Sequence, residues 1–568
     1  MARTVAIGIQ DFEQLIKNNY FYIDKTKFIK EWWERGDAVT LITRPRRFGK
    51  TLTMSMLEYF FSVSYAGRGA LFEKLDIWQE QKYRNMQGIY PVISLSFATI
   101  KQTDYEGVRQ RIYQILTDVY QKYRFVRDSD TFTDTDREYF DRISCSMNES
   151  DATYALHKLS EFLSRYYGRK VLILLDEYDT PMQEAYVHGY WDEIVSFIRN
   201  LFNATFKTNP YLERGIMTGI TRVSRESIFS DLNNLKVVTA TSDIYTDIFG
   251  FTEEEVFSAM DEQGYKDKED VKNWYDGFIF GTTSDIYNPW SIINYLDTGK
   301  LSTYWANTSS NSLTGKLIRE SSPDIKQSFE KLLRGENLTA VLDEQIVYNQ
   351  LDEDENAIWS LLLAGGYLTA VSVNDCKFHR SWGETEYELR LTNCEVRLMF
   401  ASMIRGWFNG GMKREYRGFV QALLNDDVKL MNVCMSKIVL NSISYFDTGN
   451  RPSGREPERF YHGLVLGLLV DLHDKYVVTS NRESGYGRYD VMLEPRYSGD
   501  AAVILEFKVH DPQEEQTLQE TAEAACRQIE EKQYQQILVE KGIPEHRIRK
   551  YGFAFAGKKV FIGKKAAG

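Results

Sequence analysis

The chain has 568 residues, of which 43% are hydrophobic and 26% charged, with 36 Tyr and 32 Phe. That length exceeds one compact core, so about two to four domains are expected, and the aromatic content excludes a disordered or low-complexity chain. A net charge of -12 excludes a wholly basic nucleic-acid coat; the surplus acid is uneven, since residues 1–450 carry 51 Lys+Arg against 63 Asp+Glu while residues 451–568 carry 18 of each.

No apolar run approaches the roughly 18 residues needed to span a bilayer, the longest being "VLILL" (171–175) and "LVLGLLV" (464–470). The opening "MARTVAIGIQDFEQLI" has neither a long apolar stretch nor a small-residue cleavage site, so a cytoplasmic location is expected. Cys145, Cys376, Cys394, Cys434 and Cys526 form no C-x-x-C pair, and neither a zinc ribbon nor a disulfide framework is expected.

The first strong element is "AVTLIT" (38–43), a β-branched apolar run that passes through "RPRRFG" into "KTLTMSMLEYFF", where Leu52, Met56, Tyr59 and Phe60 recur at helical spacing. This is a strand, a loop and a helix. The loop matches G-x-x-x-x-G-K-[ST] except at its first position, where Arg44 replaces glycine. The chemistry of a phosphate site survives that change. Backbone N–H groups at a helix start point outward unsatisfied, the helix dipole adds positive charge, Lys50 would reach the terminal phosphates and the Thr51 hydroxyl would ligate Mg²⁺. Arg44 and Pro45 change the loop's shape, since glycine takes positive φ freely whereas proline fixes φ and pushes its predecessor toward extended geometry; Gly49 joins Lys50 and Thr51 in the nucleotide-binding set. Arg46 and Arg47 would either touch phosphate or pair with surface acids.

Next come "YPVISLSF" (90–97) and "RKVLILLDEYDTP" (169–181), the second a buried parallel strand with Asp176 and Glu177 at its carboxyl end, where open α/β sheets bind ligands. In a nucleotide site Asp176 would hold the magnesium and Glu177 would polarise the attacking water. "RGIMTGITRV" (214–223) reads as a further strand, and helical patterns at 104–122, 151–167 and 190–206 supply the crossovers that a parallel sheet needs. Thr221, Arg222 and Arg225 follow that strand, placed either to sense a γ-phosphate or to cap a loop.

Beyond 240, Thr252 and Glu255 form a capping box, and Asn288 caps a helix with Pro289 at its first position. Residues 310–445 have mostly helical periodicity, interrupted by a hairpin at 365–372 and 386–393. No catalytic spacing is readable there; packing and lid functions are expected. In the last segment, "ESGYGRYDVMLEPRYSGDAAVILEFKVH" (483–510) sets Asp490 in one alternating strand and Glu506 and Lys508 on one face of the next. Two carboxylates beside a lysine can hold Mg²⁺ and steady a nucleophile for phosphodiester cleavage, but cross-strand ion pairs produce E-x-K equally. His462, His473 and His510 lack metal-ligand spacing. "RIRK" (547–550) and "GKKVFIGKK" (557–565) would either grip a phosphate backbone or solubilise a terminal strand.

Two resemblances follow from these phrases. "FYIDKTKFI" (21–29), "RPRRFGKTL" (44–52), "LLDEYDTP" (174–181) and "ITRVSRESIFSDLNNL" (220–235) together resemble the AAA-ATPase-like family of bacterial proteins, whose altered phosphate loop is a family feature. "ERFYHGLVLGLL" (458–469), "ESGYGRYD", "LEFK" and "AACRQIEEKQY" (524–534) resemble the PD-(D/E)XK nuclease superfamily, with Tyr489 where a proline would precede the aspartate. The resemblance implies Asp490, Glu506 and Lys508 as the core motif, Glu458 as a third acid ligand and Gln528 on the following helix. The expected architecture is α/β: a P-loop NTPase parallel sheet in 1–240, a mostly helical lid or connector in 241–445, and a restriction-endonuclease-like domain in 446–568. ATP and Mg²⁺ are the expected cofactors, with nucleic acid reached through the last domain. The alternatives are an ATP switch whose nuclease fold is a non-catalytic scaffold, and an assembly ATPase acting as an oligomer.

Overall fold

The computed structural model describes residues 2–222, 228–229, 232–305, 314–315, 317–318, 321–333, 335–342, 357–374, 386–407, 413–446, 469, 472, 475–484, 487–497, 499–511, 515–556 and 559–564. Packing divides the chain into two units, Met1–Met399 and Phe400–Gly568.

The first unit is built on a five-stranded sheet of β1 (Val39–Thr43), β2 (Val92–Ser96), β3 (Val171–Asp176), β4 (Leu212–Gly219) and β5 (Leu235–Val238), in the order β2-β3-β4-β1-β5. All neighbours are parallel. Every residue of β1 and β3 is buried, which is why both read as unbroken apolar runs and not as alternation. The crossover helices lie at Tyr105–Lys122, Glu149–Tyr167 and Trp191–Phe202, the last running into a π-helical turn, Asn203–Lys207. Asp104 and Asn148 cap the first two by accepting from the backbone N–H groups of Gly107 and Asp151. Ile112, Leu116, Leu159, Phe162 and Ile198 bury their side chains with Val39, Leu41, Ile173 and Leu175 in one core.

The same unit continues with two small sheets. β6 (Phe251–Thr252), β7 (Phe278–Phe280) and β8 (Thr283–Tyr287) form one in the order β6-β8-β7. The Thr252/Glu255 capping box opens the helix Glu253–Gln263, and Asn288 caps Pro289–Thr298 by accepting from Trp290 and Ser291, both as expected. β9 (Leu338–Val341), β10 (Leu368–Asn374) and β11 (Glu386–Leu391) form the other, where β10 and β11 are the expected antiparallel pair and β9 is an unforeseen third strand. The "FYIDKT" segment ties the chain start to this region: Phe21 is buried with Val256, Tyr287 and Ile292, and the Lys25 ammonium donates to both oxygens of Glu255 at 2.7 Å. Among the described residues no helix is long and apolar enough to cross a membrane.

The second unit is a mixed sheet of β12 (Tyr476–Ser484), β13 (Gly487–Pro495), β14 (Ala502–Val509), β15 (Ile548–Ala556) and β16 (Lys559–Lys564), in that spatial order. Only β14 and β15 run parallel. Alternation sorts its two faces. Val491, Leu493, Val503, Leu505 and Phe507 are buried with Phe419, Leu423, Met435 and Ile438 of the helices Lys413–Leu424 and Val428–Phe446. Met492, Ala502 and Ile504 are buried instead with Ile529 of the helix Leu518–Glu531 and with Tyr534. The helices between 413 and 446 therefore belong to the packing of this sheet.

Candidate functional site

The loop after β1 and the end of β3 meet at the carboxyl ends of the parallel strands. Gly49 takes φ 83°, and a Cβ there would meet nothing within 4 Å, so it is the left-handed backbone that calls for glycine and not a lack of space. Lys50 begins the helix Lys50–Phe61 and is buried; its Nζ donates to the carbonyls of Arg44 and Pro45, each at 2.8 Å. Burial pushes the Lys50 ammonium down to about 8, against the pull of Glu177, Asp176 and Asp179. The Thr51 hydroxyl donates to Asp176 Oδ2 at 2.7 Å, and Thr218, at the end of the intervening strand β4, donates to Asp176 Oδ1. Glu177 follows in the left-handed region at φ 53°. Burial, and then the Asp176 charge, raise its carboxyl above the ordinary range. Lys50, Thr51, Asp176 and Glu177 are thus brought together.

Other expected residues have additional roles in the packing. Arg46 and Arg47 are exposed. Arg46 Nη2 donates to Gln183 Oε1 at 3.2 Å, and the Arg47 guanidinium stacks 4.3 Å from the Trp290 ring. The intervening loop backbone is gripped by the segment beyond β8: the Arg46 carbonyl accepts from Trp305 Nε1 at 3.0 Å and Asn288 Nδ2 at 3.3 Å, while Phe48 packs edge-on against Phe278 and Phe280. Thr221 is tied to Asp179, whose Oδ2 accepts from the Thr221 amide at 2.8 Å, its hydroxyl at 2.9 Å, the Ile220 amide at 3.0 Å and Gln183 Nε2 at 3.0 Å. That is the loop-capping arrangement. Arg222 borders a small cleft with Thr43, Thr239, Thr241 and Ser360, and Arg225 lies outside the described residues.

Neither Asp179 nor Thr218 was singled out from the sequence. Asp179 sits two residues past the acid pair, and Thr218 is one apolar-flanked threonine within β4; only the strand order shows that both face Asp176 or its neighbours. A further clue at the junction is Gly219, where a Cβ would come within 2.6 Å of the Tyr178 ring.

In the second unit the β13–β14 register, Val491 opposite Leu505 and Leu493 opposite Val503, sets Asp490 opposite Glu506. The Asp490 amide donates to Glu506 Oε2 at 3.3 Å, and the Phe507 amide donates to Asp490 Oδ2 at 2.7 Å. Glu506 is only 3% exposed, and its Oε1 accepts from Gln528 Nε2, which also reaches the Tyr534 hydroxyl at 3.3 Å. Lys508 lies on the same face as Glu506 and is half-buried. Glu458, the expected third ligand, and His462 and His473 lie outside the described residues. His510 bonds through Nδ1 to the Thr521 hydroxyl at 2.9 Å. Among the described residues of the basic stretches, Arg549 donates to the Leu424 carbonyl at 2.7 Å, Lys550 pairs with Glu530 at 3.0 Å, and Lys564 pairs with Asp426; Lys558 and Lys565 lie outside the described residues.

A third group of acids, Glu253, Asp276 and Asp285, brings carboxylate oxygens within 4.8 Å of one another in the first unit, with Lys272 paired to both Glu253 and Asp285.

A parallel sheet with a Lys-Thr helix start bonded to a strand-end aspartate defines a P-loop fold, and the mixed sheet with its Asp490/Glu506 pair fits a nuclease-type α/β domain. Residues 6–229 match the family described as "Predicted AAA-ATPase", and residues 456–565 match the PD-(D/E)XK nuclease superfamily. The chain therefore carries an AAA-ATPase-like domain and a PD-(D/E)XK nuclease-superfamily domain. It is also similar, at 25% identity over 519 residues covering 89% of each chain, to a protein of Azotobacter chroococcum mcd 1 described as "Uncharacterized protein in vnfD 5'region".

Proposed function

We propose that the chain binds and hydrolyses ATP in its first unit and cleaves nucleic acid with a Mg²⁺-dependent centre in its last domain. The observation that carries the first half is the Thr51–Asp176 hydrogen bond beside Lys50 and Glu177. A hydroxyl and a carboxylate, both oxygen donors, suit a hard divalent cation, and the helix start behind Gly49 suits a polyphosphate. Thr51 and Asp176 would hold Mg²⁺, whose contribution is to withdraw charge from phosphate oxygens. Lys50 leaves the carbonyls of Arg44 and Pro45 for the β- and γ-phosphates. Glu177 orients and polarises the attacking water; its raised affinity for a proton brings it nearer to neutral pH, as a general base requires. Arg46 and Arg47, exposed at the rim, reach phosphate by exchanging Gln183 and Trp290. Arg222 serves the same site from the end of β4, while Thr221, through its bonds to Asp179, holds that strand end in place.

In the last domain, Asp490 and Glu506 would hold the second Mg²⁺, together with Glu458, and Lys508 steadies the charge that develops on the phosphate. Gln528 fixes the Glu506 carboxylate. The test is incubation of the whole chain with labelled single- and double-stranded DNA and RNA, with Mg²⁺, in the presence and absence of ATP. Metal-dependent cleavage lost in Glu506→Ala supports the reading.

One observation favours a second reading, in which the nuclease fold is a non-catalytic scaffold under an ATP switch. Asp490 and Glu506 already accept hydrogen bonds from Phe507, Asp490 and Gln528, and Lys550 and Lys564 of the basic stretches are committed to internal pairs. Binding of nucleic acid without cleavage, and no Mg²⁺ or Mn²⁺ binding that depends on Glu506, would select it.

A further inference from the structure

Arg44 occupies the position where a phosphate loop ordinarily has glycine, and it is fully buried. Its Nη1 donates to the carbonyls of Thr43 at 2.9 Å and Thr239 at 2.7 Å, and its Nη2 to those of Ile244 at 3.3 Å and Tyr245 at 3.4 Å. The guanidinium carbon lies 4.4 Å from the Phe280 ring centre, and the Arg44 amide donates to the Gly219 carbonyl at 3.1 Å. Among the described residues no carboxylate bonds to this side chain, and its Nε finds no partner. A buried cation held only by neutral carbonyls and an aromatic face is expensive to desolvate, and burial pushes its pKa down to about 9. An apolar side chain would fill such a space more cheaply. A planar fork with donors pointing two ways is what several carbonyls on different segments require, and a lysine, a point donor, cannot reproduce it.

The segment that receives this fork is itself anchored. The Gly281 amide donates to the Ala240 carbonyl at 2.8 Å and the Thr282 amide to Asp243 Oδ1 at 2.8 Å, so 239–245 is bound to the β7–β8 turn. At the other end, the Arg44 carbonyl is one of the two that hold Lys50. One residue thus joins the β7–β8 region, the 239–245 segment and the lysine of the phosphate loop.

We propose that Arg44 is a positioning residue: its side chain pins the start of the phosphate loop to 239–245 and thereby sets the carbonyls from which Lys50 is delivered to phosphate. This rests on the reading of the loop as a nucleotide site. Loss of the fork lets the loop start drift, which weakens nucleotide binding although Arg44 itself never touches nucleotide.

The experiment titrates a fluorescent ATP analogue with Mg²⁺ against the whole chain as wild type, Arg44→Ala, Arg44→Lys and Lys50→Ala, with the fold checked by circular dichroism and urea melting. Arg44→Ala and Arg44→Lys are each expected to bind about tenfold more weakly than wild type. Millimolar methylguanidinium, but not methylammonium, is expected to restore part of the loss in Arg44→Ala by occupying the carbonyl-lined space. A merely stabilising side chain would not give that rescue in a folded variant. Wild-type affinity in folded Arg44→Ala or in Arg44→Lys overturns the proposal, as does a loss that methylguanidinium leaves unchanged. If Arg44→Ala and Arg44→Lys both fail to fold, Arg44 is a structural residue and the proposal is overturned in that way too. Absence of nucleotide binding by wild type, by contrast, overturns the nucleotide-site reading itself.

Discussion

Thr51 and Asp176 stand 125 residues apart in the chain and 2.7 Å apart in space, the threonine hydroxyl donating to the aspartate. Thr218 holds the other carboxylate oxygen, so the acid is oriented from both sides by strand- and helix-end residues of a rigid sheet. Such support is what a metal-binding carboxylate needs to keep one geometry.

On the proposed roles, the two charged residues beside that pair should separate binding from turnover. Lys50→Ala removes the ammonium proposed to meet the phosphates, and ATP binding should fall at least about tenfold with hydrolysis lost. Glu177→Gln keeps Thr51, Asp176 and Lys50, so it should bind ATP nearly as wild type while turnover falls by about 10²–10⁴. Equilibrium titration and phosphate release on the same preparations check this; equal loss of affinity in both variants would count against the roles.

Asp179 gathers four donors on one carboxylate oxygen and holds Ile220 and Thr221 at the end of β4. Asp179→Ala strands those amides and the hydroxyl in a buried place and should cost about 2–4 kcal/mol, while Asp179→Asn, which keeps an acceptor oxygen, should cost about 1 kcal/mol. Urea unfolding of the whole chain reads both. Equal costs would show that the clasp does not depend on an acceptor at this site.

Asp276 titrates in an unusual place. Burial first, and Asp285 second, push its carboxyl up to about 7, while Lys272 and the Gly277 amide favour the ionised form. An acid whose folded pKa is raised keeps a proton that the unfolded chain gives up near about pH 4, so its contribution to stability is lost as pH climbs from about 4 through about 7. Glu253 and Tyr287, facing the same group, add no compensating positive charge. Asp276→Asn should flatten this part of the fall in the urea unfolding midpoint; a slope equal to wild type would show that Asp276 does not carry it.

Asp490→Ala and Glu506→Ala should each abolish metal-dependent strand cleavage and leave ATP hydrolysis within about twofold of wild type, because the acids proposed to hold metal lie in the other unit. Lys508→Ala should lower cleavage by about 10²–10³ and spare Mn²⁺ binding, since an ammonium stabilises charge and binds no metal. Calorimetric metal titration and gel-resolved cleavage measure the two effects. Loss of Mn²⁺ binding in Lys508→Ala would contradict its role.

Much of this was legible in the chain itself because local physics carried it. The β1 and β3 strands announced themselves as fully buried apolar runs, and Thr252, Glu255, Asn288 and Pro289 marked helix starts that the structure has. β5 and β9 were not read: "LKVV" and "LTAV" are four residues each, too short for periodicity to separate from a loop or a helix turn. Lys50 and Thr51 were singled out by motif and Asp176 by its place at the end of a buried strand, and the structure brings the three together. The Asp179 clasp, and the inward course of Arg44 toward Thr239 and Tyr245, were not legible, since each depends on which strands neighbour one another and not on spacing along the chain.

The most direct measurement of the central claim is parallel phosphate release and strand cleavage by the whole chain as wild type, Lys50→Ala and Glu506→Ala with Mg²⁺-ATP and labelled nucleic acid. Phosphate release should be present in wild type and Glu506→Ala and absent in Lys50→Ala, with cleavage present in wild type and absent in Glu506→Ala. Phosphate release by Lys50→Ala at the wild-type rate, or cleavage by Glu506→Ala at the wild-type rate, would contradict the assignment of these two centres.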